Sequence, residues 1–208
     1  TRCAKTSQRS PRGIRAISRK RIERYEWIDS ISSRHVTSRC CTITRPSLCE
    51  ARRLMTALKA LSVTRAHHGA LHRFQLESET LKCATVFSVF VPDASSPSET
   101  FPILYYLSGL TCTDENVAQK GCAFEHLSRA RVAMVMPDTS PRGDGVADDD
   151  GWDMGKGAGF YLDATEAPWA EHYRMYSFVT RELPEVLRRS SGLPLDCDRC
   201  SITGHSMG

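Results

Sequence analysis

The last five residues carry the most chemistry per position. Gly204-His205-Ser206-Met207-Gly208 has the form G-x-S-x-G. It follows Cys200-Ser201-Ile202-Thr203, a short run that predicts a strand. A serine on a tight turn between strand and helix is pushed out at the top of a sheet, where its hydroxyl can attack a carbonyl carbon. The flanking glycines keep side chains away where backbones crowd. A helix behind the turn would aim N–H groups and a positive dipole end at the developing oxyanion. Ser206 is thus the candidate nucleophile, and the N–H of Met207 a candidate oxyanion donor. A small-residue turn with a chance serine is the alternative at this point.

Such a turn needs a second loop, because an oxyanion hole takes donors from two segments. Leu107-Ser108-Gly109-Leu110-Thr111-Cys112-Thr113 follows the apolar run Ile103–Leu107 and is placed to supply it. The plain alternative is a strand-to-helix connection with Thr113 as N-cap.

The elements that must position these residues begin near residue 71. Phe74-Gln75-Leu76 starts a strand-like run, and Thr85 to Val91 is β-branched and aromatic up to Pro92. Ile103–Leu107 and Ala133–Met136 are continuous apolar runs, as expected of strands buried on both faces. Residues 114–130 predict a helix with Ala123, Phe124 and Leu127 on one face. A second is predicted from Tyr173 to Arg189, bent or divided at Pro184. Strand, helix, strand, helix, strand is the alternation of a parallel α/β sheet, and the two earlier strands suggest an antiparallel edge.

Composition separates this region from what precedes it. Residues 1–54 hold 14 Lys and Arg against four acidic residues (Glu23, Glu26, Asp29, Glu50), leaving 14 basic and 20 acidic residues of the chain's 28 and 24 for the rest. The first methionine, Met55, stands at that boundary. Residues 1–54 are rich in Arg and Ser with little apolar periodicity, so disorder is expected there. Three readings of them stay open: a non-native leader upstream of a true start at Met55, an organelle transit peptide, and a basic arm that binds nucleic acid. Nine cysteines without an even framework read as reduced thiols in an intracellular protein. No run of about 18 apolar residues occurs.

Other residues invite chemistry less strongly. Cys197-Asp198-Arg199-Cys200 is C-x-x-C, but no second ligand pair follows to make a zinc site. Asp148-Asp149-Asp150 reads as a solvated acidic loop, and His67-His68 as surface. Trp152, Trp169 and Tyr161 could line an acyl pocket or simply pack; packing is favoured for Trp169.

Seven blocks in order carry a closer resemblance: Leu107–Thr113, Pro137-Asp138-Thr139-Ser140-Pro141-Arg142-Gly143, Trp152-Asp153, Gly157-Ala158-Gly159-Phe160-Tyr161, Asp163-Ala164-Thr165, Tyr173-Arg174-Met175-Tyr176 and Gly204–Gly208. Together they resemble the S-formylglutathione hydrolase (esterase D) family, from about Met55 to Gly208. The resemblance implies an α/β-hydrolase fold, mostly parallel with helices on both faces, of which residues 55–208 form the N-terminal half. It implies hydrolysis of the thioester S-formylglutathione to glutathione and formate, part of formaldehyde removal, in the cytoplasm. Ser206 matches the family's nucleophile, and Leu110 and Met207 its backbone oxyanion donors. Cys112 is placed near the site by the same match, where it is either sensitive to thiol reagents or a small buried filler. The triad Asp and His are implied beyond Gly208, and His205 is not assigned as the base. No metal, cofactor, nucleic acid or membrane is expected, and a homodimer is implied for the full-length protein. The chain alone is expected to be inactive and poorly soluble, since a sheet missing its later strands leaves an apolar edge. A general carboxylesterase or acyltransferase of the same fold is the alternative, as is a truncated, non-catalytic product with a basic arm.

Overall fold

The computed structural model describes residues 58–208. The expectations for residues 1–54, and the boundary at Met55, lie outside the described residues. Six strands form one sheet: β1 (Leu58–Ala66), β2 (Gly69–Ser78), β3 (Cys83–Pro92), β4 (Phe101–Leu107), β5 (Ala133–Pro137) and β6 (Leu195–Gly204), in the spatial order β1-β2-β3-β5-β4-β6. The pairings β1–β2, β2–β3 and β3–β5 are antiparallel, whereas β4 runs parallel to both β5 and β6. The parallel strands β4 and β6 are those whose ends carry the two candidate loops.

Period-two alternation explains how the sheet is covered. Phe87, Val89, Ile103, Tyr105, Ala133 and Val135 pack on one face with Met175, Phe178, Leu183 and Leu187. Phe90, Met134 and Met136 pack on the other with Phe124 and Leu127. Helical segments therefore lie on both faces. β5 is buried at all five positions, as its unbroken apolar run requires.

Three elements differ from the sequence expectation. β1 carries no strand signal, because most of its residues are exposed and no alternation marks it. It pairs with β2 through a two-residue turn at His67 and His68, whose φ angles of 41° and 57° suit a tight hairpin. The helix expected over 114–130 is two short ones, α1 (Asn116–Lys120) and α2 (Phe124–Ala130). The break falls at Gly121-Cys122, where Cys122 takes φ 48°. The helix expected from Tyr173 to Arg189 is α3 (Met175–Ser177), a π turn (Phe178–Glu182) and α4 (Leu183–Ser190). Pro184 sits in the first turn of α4, where its missing N–H is tolerated.

Candidate active site

β6 ends at Gly204, in register with Leu107 at the end of β4. The next residues turn back on that end. The His205 N–H donates to the Leu107 carbonyl at 3.0 Å, and the Gly208 N–H to the His205 carbonyl at 3.1 Å. The turn is too tight for side chains at its glycines. A Cβ on Gly204 would lie 2.4 Å from the Gly208 carbonyl carbon, and one on Gly208 would lie 2.0 Å from the Leu107 oxygen. Between them Ser206 is exposed at φ 60°, in the left-handed region that a serine rarely adopts.

The loop after β4 comes up against this serine. A Cβ on Gly109 would stand 3.1 Å from Ser206 Cβ and 3.2 Å from the His205 oxygen. Leu110 follows directly. Among the described residues, neither the Leu110 N–H nor the Met207 N–H donates to another protein group. Free backbone donors beside an exposed hydroxyl are the groups an oxyanion needs.

The Cys112 N–H closes a turn around Leu110 by donating to the Gly109 carbonyl at 3.3 Å, and five further hydrogen bonds hold the loop on both sides. Tyr161 Oη donates to the Ser108 carbonyl at 2.9 Å. The Thr111 N–H donates to the Gly157 carbonyl at 3.0 Å, with Thr111 at φ 65°. The Cys112 carbonyl accepts from Thr139 Oγ1 at 2.5 Å and from Arg142 Nη2 at 2.9 Å. The Thr113 N–H donates to Asn116 Oδ1 at 2.8 Å. Next along, the buried Asp114 carboxylate takes Arg73 Nε at 2.8 Å and Ser88 Oγ at 2.7 Å, anchoring the loop to β2 and β3. The sequence reading gives Arg73, Asp114, Thr139, Arg142 and Gly157 no part in the site, although the last three stand in blocks that carry the family resemblance. The available signals were the Asp138-Thr139-Ser140-Pro141-Arg142-Gly143 turn directly after β5 and the Gly157-Ala158-Gly159-Phe160-Tyr161 block.

Electrostatics concentrate behind the loop. Asp138 accepts from Arg142 Nε at 3.0 Å on each oxygen. Burial pushes its carboxyl up, against the pull of Arg142. Burial likewise pushes the Tyr161 phenol up.

The remaining candidates fall into place around this frame. His205 and Cys112 line a cavity of about 320 Å3 with Tyr106, Asn116 and Lys120, and Ser206 is not part of its wall. Among the described residues, no imidazole or carboxylate hydrogen-bonds Ser206. A second, apolar cavity of about 300 Å3 is lined by Phe160, Leu162, Trp169 and Tyr173. The Phe160 N–H, 3.3 Å from Met207 Sδ, ties that wall to the serine turn. Trp169 packs edge-on against Tyr173, and Trp152 is exposed. Cys197 and Cys200 are both free thiols on β6. Asp148 Oδ1 accepts backbone N–H groups from Asp149 and Lys156. Among the described residues, no cluster of His, Cys, Asp and Glu is arranged to hold a metal, and no helix is long and apolar enough to cross a membrane.

Known proteins resemble this chain in sequence and fold. The chain is 45% identical over 152 residues to an S-formylglutathione hydrolase of Paracoccus denitrificans (strain Pd 1222), a match that covers 73% of the chain and 53% of that protein. The solved S-formylglutathione hydrolase of Agrobacterium tumefaciens superimposes with a TM-score of 0.68 at 49% identity, over 72% of this chain and 53% of that one. The chain thus spans about half the length of these relatives. The family described as "Putative esterase" matches residues 78–208, more than half of the chain and the whole of the region from the end of β2 to the serine turn. With that match joined to the α/β sheet and its glycine-flanked serine, the chain belongs to this esterase family.

Proposed function

We propose that the protein is a serine hydrolase that cleaves S-formylglutathione to glutathione and formate. The observation that carries the reading is Ser206 itself. It is exposed at φ 60° between two glycines that cannot take a Cβ, with the Leu110 and Met207 N–H groups unused among the described residues. Similarity to the two S-formylglutathione hydrolases supplies the choice of substrate.

In the mechanism, Ser206 Oγ attacks the formyl carbonyl carbon as its proton passes to an imidazole base. The carbonyl oxygen becomes an oxyanion held by the Leu110 and Met207 N–H groups. The C–S bond then breaks, and the leaving thiolate takes the proton from the imidazolium. Water attacks the formyl ester on Ser206, releasing formate and restoring the hydroxyl. The base and its orienting carboxylate come from the half of the protein outside residues 58–208, in the chain order Ser, Asp, His of this fold. The chemistry calls for no metal or cofactor. The whole protein works as a homodimer in the cytoplasm.

The test is turnover of S-formylglutathione by the whole protein, beside a simple aryl ester. Ser206→Ala is expected to lower both by at least about 10³-fold with the fold intact. Undiminished turnover by that variant would exclude Ser206 as the nucleophile. A kcat/KM for the aryl ester above that for the thioester would favour a general carboxylesterase.

A further inference from the structure

We infer that Arg142 is a positioning residue of the oxyanion hole, acting through the Cys112 carbonyl on the Leu110 N–H. The inference rests on the proposed serine mechanism and adds a residue to it.

Among the described residues the Leu110 N–H makes no hydrogen bond of its own, but the Gly109 carbonyl of the same peptide unit accepts the Cys112 N–H at 3.3 Å, which ties the direction of the Leu110 N–H to residue 112. The orientation of Leu110 is set by the peptide units on either side. Upstream, Gly109 lies against Ser206, and the Ser108 carbonyl is held by Tyr161. Downstream, Thr111 sits at φ 65°, a strained angle for a β-branched residue, which persists only where the surroundings over-determine it. Two contacts do so. The Thr111 N–H is taken by Gly157, and the Cys112 carbonyl is gripped by Thr139 Oγ1 and Arg142 Nη2.

Arg142 is the charged member of this grip, and its geometry is specific. Nε meets both oxygens of Asp138 at 3.0 Å, which fixes the guanidinium plane at the end of β5. With the plane fixed, Nη2 points at Cys112 O. Asp138 is buried, and Arg142 is about one-third exposed. A charge-assisted bond at a partly dry site is stronger than a neutral one. The same turn continues to Ser140, whose Oγ accepts the Gly157 N–H at 2.7 Å. The segment from 138 to 157 therefore supplies all three of these bonds to Thr111 and Cys112. A Lys could supply charge at this place, but it has no planar fork to span the carboxylate and the carbonyl together.

A donor misplaced by a fraction of an ångström loses contact with the transition state before it loses the substrate. In the whole, active protein, Arg142→Ala is therefore expected to lower kcat by about 10–100-fold while KM stays within about twofold. A trifluoromethyl ketone that adds to Ser206 should lose affinity by the same factor, because its oxyanion occupies the same hole. Arg142→Lys should recover part of both losses. Thr139→Val, which removes the other donor to the Cys112 carbonyl, should show the same pattern more weakly, and it decides the matter if Arg142→Ala does not fold. A purely structural role would lower the melting temperature and leave the kcat and ketone affinity of the folded protein unchanged; that result overturns the inference. Full turnover by Ser206→Ala would instead overturn the serine mechanism beneath it.

Discussion

At the scale of single residues, the site is built on backbone angles that side chains resist. Ser206 at φ 60° is the clearest case. An L-residue in the left-handed region costs about 1–2 kcal/mol, and glycine does not. Glycine in turn loses about 0.5–1 kcal/mol through the entropy of the unfolded chain. Ser206→Gly is therefore expected to be more stable than Ser206→Ala by about 0.5–1 kcal/mol, both being inactive. Denaturant melts of the two variants check this, and equal stability would mean that the turn relaxes when the hydroxyl is gone. The turn was legible in the sequence because crowding forces its glycines into a fixed spacing. Thr111 was not, since nothing in a threonine announces φ 65°. Arg142 was hidden for another reason. Its acceptors Asp138 and the Cys112 carbonyl come from different segments, and only the folded sheet brings them together.

At the scale of elements, the strands that bury both faces could be read from composition, and those that do not could not. β3, β4 and β5 show as apolar runs because each is covered twice. β1 is exposed along most of its length, so its sequence is under no such constraint. The helix expected over 114–130 ran across Gly121, where a breaker signal was present and outweighed by the apolar face. The π turn before α4 left no mark at all, yet it has a definite task. It carries Glu182, whose carboxylate accepts from Ser78 Oγ at 2.7 Å, the Glu79 N–H at 2.9 Å and the Thr80 N–H at 3.1 Å. One side chain thus fastens the turn between β2 and β3 to the helical layer. Glu182→Ala would leave the buried Ser78 hydroxyl and two N–H groups without their acceptor. The expected loss is about 2–3 kcal/mol, since hydrogen bonds to a charged group are worth more than neutral ones. Glu182→Gln should recover part of it. Hydrogen exchange in the 78–81 turn should quicken in Glu182→Ala; unchanged exchange there would mean that the turn is held by other contacts.

At the scale of the whole molecule, a two-faced sheet collects tyrosines whose phenols cannot easily ionise. Burial raises Tyr105 and Tyr161 well above the ordinary tyrosine range, and it pushes Tyr173 up to about 12. Tyr105 lies on β4, Tyr161 touches the oxyanion loop, and Tyr173 Oη donates to the Ala147 carbonyl at 2.6 Å. In the unfolded chain each loses its proton near pH 10. Between that pH and the raised folded values, the unfolded state binds fewer protons than the native state. Stability therefore falls as pH rises through this window and is unaffected by these groups below it. The expected outcome is a delayed rise in tyrosinate absorbance that coincides with the loss of circular dichroism, because these three phenols ionise when the sheet opens. Tyr105→Phe separates this cause from general alkaline damage. It removes one titrating phenol from β4, and Tyr105 Oη makes no hydrogen bond to the protein among the described residues. The variant should match the parent in stability at neutral pH and unfold at a higher alkaline midpoint with a shallower pH slope. If the midpoint does not move, or if these tyrosines ionise near pH 10 with the circular dichroism intact, the phenols are reached by water in the native sheet and do not set its alkaline limit.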